Sequence, residues 1–111
     1  MLPEFLQLET IKRKIRFAEE PDNPSLIEHF FTLDSPADRE TLLQRRLRLR
    51  AQFILLYNTI EDGSNPLYWR QICLNVIYRP LYELRMLADN AITRADVSLL
   101  SVQLRSIYLG T

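Results

Sequence analysis

Few side chains in this sequence have the type and spacing that chemistry requires. His29 is the only histidine and Cys73 the only cysteine. A metal centre needs three or four nitrogen, sulfur or oxygen ligands, and a nucleophile needs a base beside it. An isolated histidine with no cysteine near it in sequence supplies neither, and Cys73 falls on an apolar helical face that suits a small buried hydrophobe. Glu19-Glu20 and Glu61-Asp62 flank loops, where carboxylates are more often solvated than paired for acid–base work. Asp62-Gly63-Ser64-Asn65 lacks the later ligands of an EF-hand loop, and two glycines in 111 residues leave no phosphate cradle. The expectation is a protein with no catalytic residue, no metal and no cofactor, hence not an enzyme.

What the chain does concentrate is arginine. Five of them, interleaved with leucines, fall between Arg39 and Arg50. Projected at 100° per residue on one helix, Leu42, Leu49, Phe53, Leu56 and Ile60 make one stripe and Leu43, Leu47 and Ile54 another. Arg39, Arg46, Arg50 and Tyr57 lie between the stripes, while Arg45 and Arg48 point into solvent. A buried arginine without a partner is prohibitively costly, so the central three must pair, reach water along their stems, or face a second molecule. Two readings follow. Either Glu4, Glu9, Glu28 or Asp89 neutralises them within the fold, or they meet an acidic, partly apolar surface on a protein partner, a role in which arginine is enriched.

A second candidate surface is the helix after Asn65. Tyr78 and Tyr82 sit one turn apart on its more polar side, near Gln71 and Asn75, with Arg85 in reach. Tyrosine beside arginine has the composition of a binding patch; the alternative packs both rings beneath the N-terminal helix with their hydroxyls wet.

The function this supports is protein–protein association, as a small adaptor, an assembly factor or a subunit of a larger complex, with a homo-oligomer as one form. A structural or assembly protein of a virus or phage particle is the alternative. Nucleic-acid binding through Arg39–Arg50 and Lys12-Arg13-Lys14-Ile15-Arg16 ranks lower, because the formal net charge is zero and no helix-turn-helix or base-stacking pattern is present. The first residues do not have the basic start and apolar run of a signal peptide, and the longest apolar run, Phe53 to Tyr57, is too short for a bilayer. With no disulfide available, the chain is expected to be intracellular and not in a membrane.

The elements that must position these residues read as all-α, a small antiparallel bundle of three long helices preceded by an N-terminal helix and a short helical turn. One domain spans 1–111. A helix over about 3–19 rests on Phe5, Leu8, Ile11, Ile15 and Ala18 at helical spacing, against a weaker strand-like alternation from Ile11 to Phe17. A short helix covers about 24–32. The long helices cover about 36–61, with Ser35 as N-cap and Pro36 in the first turn, about 66–89, with Asn65 as cap, and about 94–109, started by Thr93 and ended before Gly110. Pro80 predicts a kink or break near Val76–Arg79. The 66–89 helix is apolar over more than half its circumference and is expected to be the central element. In the last helix Val97, Leu100, Leu104 and Ile107 form the stripe that packs.

Overall fold

The computed structural model describes residues 3–36 and 38–107. It contains six helices in these residues: α1 (Glu4–Arg16), α2 (Ser25–Leu33), α3 (Leu42–Glu61), α4 (Leu67–Val76), α5 (Tyr78–Leu87) and α6 (Ala91–Arg105). The fold is all-α, and residues 5–16 are helix, not strand. Gly110 lies outside the described residues.

α1 stops at Arg16, three residues earlier than periodicity suggests, because Ala18 adopts a left-handed φ of 49°. The amide of Glu19 then donates to the Lys14 carbonyl at 3.0 Å and that of Ala18 to Ile15 at 3.3 Å, a Schellman closure usually made with glycine. α3 starts at Leu42, not after Ser35. Thr41 is its N-cap in a full capping box with Gln44, with bonds of 2.9 and 3.1 Å. Ser35-Pro36 was a plausible start, but two reciprocal bonds at Thr41–Gln44 satisfy two orphan amides where a lone serine would satisfy one. The same logic moves the start of α6. Asn90 is the cap and Thr93 its reciprocal partner three residues later, so Thr93 is the second half of the box and not the cap itself.

The long 66–89 segment is divided at Ile77 into α4 and α5. Pro80 supplies no N–H for the Val76 carbonyl, so the break falls in the span the proline predicts. Losing continuity costs this segment its central place. α3 packs against α1, α4 and α5, while α2 packs on α1 and α6 on α5. The turn at Asp62–Pro66 returns the chain, and α4 and α5 run antiparallel along α3.

The core follows the apolar stripes of both segments. Leu49, Phe53, Leu56 and Ile60 of α3 meet Trp69, Cys73, Ile77, Leu81 and Leu84, with Ile11 and Ile15 of α1, Phe30 of α2 and Leu100 and Leu104 of α6 closing the sides. The described residues extend 41 × 40 × 15 Å along the backbone, a flat body about two helix layers thick. A body this thin leaves one face of most helices uncovered.

Polar bonds fasten the α1 end to the α3–α4 turn. Trp69 Nε1 donates to the Ile15 carbonyl at 2.9 Å, and Asn65 Nδ2 donates to Arg16 and Thr59 carbonyls at 3.1 and 3.0 Å. Asn65 therefore caps the ends of α1 and α3, and Pro66 occupies the N-cap position of α4 that the sequence assigned to Asn65. Arg70 Nε donates to the Ile60 carbonyl at 2.6 Å. Arg16 donates to Asp62 Oδ2 at 2.8 Å, and Ser64 donates to Asp62 Oδ1 through both its amide and its hydroxyl.

The Arg16 guanidinium, then the two Ser64 donors, hold the Asp62 carboxyl well below the usual carboxylate range. Since the ionised form is the one favoured by folding, its contribution is complete above the ordinary aspartate value of 3.8 and is lost as the pH falls through the depressed folded value. Asp62→Asn should therefore lower the thermal midpoint at neutral pH, and the gap between the two proteins should narrow once the pH drops below about 4. Circular-dichroism melts across that range measure it; a gap independent of pH would remove the ionised carboxylate from the account.

Candidate interaction surfaces

The arginine stretch resolves into four different situations. Arg39 lies in the turn before α3 and not on the helix, exposed, with no ion pair among the described residues. Moving the helix start to Leu42 removes it from the projected face.

Arg46 and Arg50 do lie between the two leucine stripes, and both pair inside the fold. Arg46 Nη2 donates to the Leu87 carbonyl at 2.6 Å and to Asp89 Oδ1 at 2.8 Å, closing the end of α5 where helix carbonyls lack partners. Its Nε is buried without an acceptor, a cost that the two Nη2 bonds offset. Arg50 meets Asp96 of α6 with two bonds, 3.1 and 3.3 Å. Asp89 was among the partners the sequence offered; Asp96 was not. These two arginines join α3 to the α5–α6 hairpin.

Arg48 corrects the projection outright. It was assigned to solvent with Arg45, yet its side chain is only 16% exposed and its carboxylate partner Glu40 11%. Arg48 donates to both Glu40 oxygens, at 2.8 and 3.2 Å, and to the Asp34 carbonyl at 2.9 Å. Gln52, one turn on, donates to the Asp34 carboxylate and carbonyl at 2.9 and 3.2 Å. Together they strap Asp34 and Glu40 onto the side of α3, so the face that looks solvated in isolation is covered by residues that precede it. The Glu40 carboxyl is held below its usual value by the Arg48 bond. Arg45 does face outward, 3.6 Å from Glu83. Tyr57 is half-buried and stacks on Phe53 with ring centroids 6.0 Å apart; burial first, then Glu61, raises its hydroxyl pKa.

The basic strip of α1 is likewise neutralised. Lys12 pairs with Glu9, Arg13 with Glu19, Lys14 with Glu20 and Arg16 with Asp62, at 2.6 to 3.2 Å. Glu19, Glu20 and Asp62, read from sequence as solvated, are engaged in these pairs.

Comparison with protein-family models, curated proteins and solved structures finds no match to this chain. Its surfaces stand on their own geometry.

Two exposed surfaces carry the candidate residues. The first is a cleft of about 280 Å³ between the N-terminal half of α3 and the start of α6, lined by Leu47, Leu84, Ile92 and Val97 and bordered by the Arg46 and Arg50 pairs. Leu47 is 58% exposed and Ile92 82%, and Leu43, a turn before Leu47, is exposed as well. The second is on α5, where Tyr78 is 54% and Tyr82 61% exposed, with Met86 a turn further. They do not pack beneath the N-terminal helix, because α1 lies against α2 and α3. Arg85 reaches across to Ser101 Oγ at 3.4 Å. Tyr78 and Arg85 are brought together at one groove against α6, while Tyr82 faces away from its lining.

His29 is exposed on α2 and Cys73 is wholly buried. Burial alone pushes the Cys73 thiol up to about 12, so it stays protonated and unreactive at neutral pH. Among the described residues no helix is long and apolar enough to cross a membrane, and no three His, Cys, Asp or Glu side chains cluster as metal ligands would.

Proposed function

We propose that this chain is a non-enzymatic protein–protein association module, a small adaptor, assembly factor or subunit, that binds through the cleft between α3 and α6. The observation that supports this is the apolar lip of Leu43, Leu47 and Ile92 around a concave floor, standing in solvent beside ion pairs. Burying such side chains contributes about 1.5–3 kcal/mol each, and none of the described residues covers them. The rim suits specificity. Arg46 and Arg50 each spend some of their donors on Asp89 and Asp96, and the remaining guanidinium N–H groups, with exposed Arg39 nearby in sequence, favour a partner that is apolar at its centre and acidic at its edge.

The arginines are thus rim groups and the leucines the anchors, a reversal of the sequence reading in which arginine led. It also lowers the nucleic-acid alternative, since the Lys12–Arg16 strip and most of Arg45–Arg50 are already matched by carboxylates of the same chain.

The test is Leu47→Asp combined with Ile92→Asp. Both side chains are exposed, so the thermal midpoint should hold, while affinity for the partner recovered from the native source should fall about thirtyfold or more. Absolute mass across a concentration series, run on both proteins, separates a second copy from a different chain. If wild type and variant have the same mass and the same bound protein at the same affinity, the cleft is not the contact.

A further inference from the structure

Arginines in this fold divide into two populations. Seven of the twelve meet a carboxylate among the described residues. Of the five that do not, Arg85, Arg94 and Arg105 line a single groove of about 620 Å³ between α5 and α6. No Asp or Glu is among the residues lining it. In a chain with as many acids as bases, where arginines are neutralised nearly everywhere else, three guanidinium groups gathered without a counter-charge are a positive field in search of an anion.

The register of α6 builds the site. Arg94, Ser98, Ser101 and Arg105 fall at i, i+4, i+7 and i+11, one stripe with an arginine at each end and hydroxyls between. At 1.5 Å per residue the two arginines stand about 16 Å apart, three turns of helix. Arg85 enters from α5 near the middle and is positioned there by its bond to Ser101. Beneath them the floor is apolar: Leu81, Val97 and Leu104 are nearly buried and Val102 is exposed at the edge.

We propose that this groove binds an acidic amphipathic helical segment of a partner protein. Its apolar face would cover the Leu81–Val97–Val102 floor, and its carboxylates, spaced over three turns, would pair with Arg94, Arg85 and Arg105. A nucleic-acid strand matches the charge but leaves the apolar floor unsatisfied, so the floor decides between them. The groove meets the Leu47–Ile92 cleft at Val97, but its other α6 residues lie on a different face from Ile92, Thr93 and Asp96, which makes it a second surface.

The probe is a synthetic helical peptide with leucine along one face and glutamate elsewhere, together with its glutamine counterpart. Binding to the full chain is read by fluorescence anisotropy. The glutamate peptide should bind at least about tenfold more tightly than the glutamine one and weaken as salt rises from about 0.05 to 0.5 M. Arg94→Gln with Arg105→Gln should reduce that affinity about tenfold or more, with the thermal midpoint unchanged because both side chains are exposed and neither meets a carboxylate among the described residues. Leu47→Asp with Ile92→Asp should leave it intact. Four results would overturn the proposal: no binding of either peptide, equal binding of both, retention by the arginine variant, or loss in the Leu47/Ile92 variant. Tighter binding of an oligothymidylate than of the glutamate peptide would give the groove to nucleic acid instead.

Discussion

Trp69→Ala should destabilise this protein by about 3–5 kcal/mol, which for a domain of this size is a fall of more than about 12 °C in the thermal midpoint. Trp69 is wholly buried on the first turn of α4, where α1, α3 and α4 converge. Two losses add. Truncation opens a cavity among the largest side chains of the core, which the packed neighbours fill only partly. It also removes the Nε1–H that donates to the Ile15 carbonyl at the end of α1. That carbonyl already accepts a long bond from the strained Ala18 amide, so its remaining bond is the weaker one. Trp69→Phe separates the two effects, since it restores most of the volume without the donor, and should cost about 1–2 kcal/mol. Urea or thermal unfolding followed by circular dichroism measures both. A Trp69→Ala protein within 1 °C of wild type would mean that α1 is not anchored through this residue.

Asn65→Asp, a change of one atom, should cost about 3 kcal/mol or more. The Asn65 side chain is almost inaccessible, and its amide nitrogen donates to two carbonyls at once, Arg16 of α1 and Thr59 of α3. Aspartate offers oxygen in that place. Two acceptors would lose their only side-chain donor and face a third acceptor or a buried charge. Asn65→Ala leaves the same carbonyls without a donor but adds no repulsion, so it should fall between the aspartate variant and wild type. The order wild type, alanine, aspartate in the unfolding midpoint is the expected result; alanine and aspartate at parity would mean that the site is wet and the two bonds are replaceable by water.

Both positions show what could be read from the chain and what could not. Trp69 was legible as core because it shares a helical face with Cys73, Val76 and Ile77, and periodicity carries that information locally. Asn65 was read as a helix cap because Asn before Pro is a local signal, and its actual work, joining two helix ends, depends on a residue forty-nine positions away. The break at Ile77 was likewise readable from Pro80, whose missing N–H is a property of one residue. The start of α3 was misplaced because two N-terminal signals compete, and the reciprocal Thr41–Gln44 bonds outweigh Ser35.

The interaction surfaces divide in the same way. The arginine projection located Arg46 and Arg50 among leucines and offered Asp89 as a partner. Arg48 projects to solvent on an isolated helix because a helical wheel carries no information on Asp34 and Glu40, which meet it from the preceding chain. The α5–α6 groove is half visible: the i, i+4, i+7, i+11 spacing of Arg94, Ser98, Ser101 and Arg105 stands in the sequence, beside the stronger apolar stripe of Val97, Leu100 and Leu104. That these arginines share a groove with Arg85, while their counterparts on α1 and α3 are matched by carboxylates, is a statement about which charges lie near each other in space.

By itself, then, the sequence determined that this chain is all helix, where its apolar faces lie and where proline interrupts them, because those properties come from hydrogen bonds and side-chain spacing within a few residues. Only the tertiary structure decided which helix is the hub, which arginines are neutralised and which leucines remain in water. Ion pairs and burial depend on residues brought together from distant parts of the chain, and Coulomb attraction acts through space rather than along the backbone.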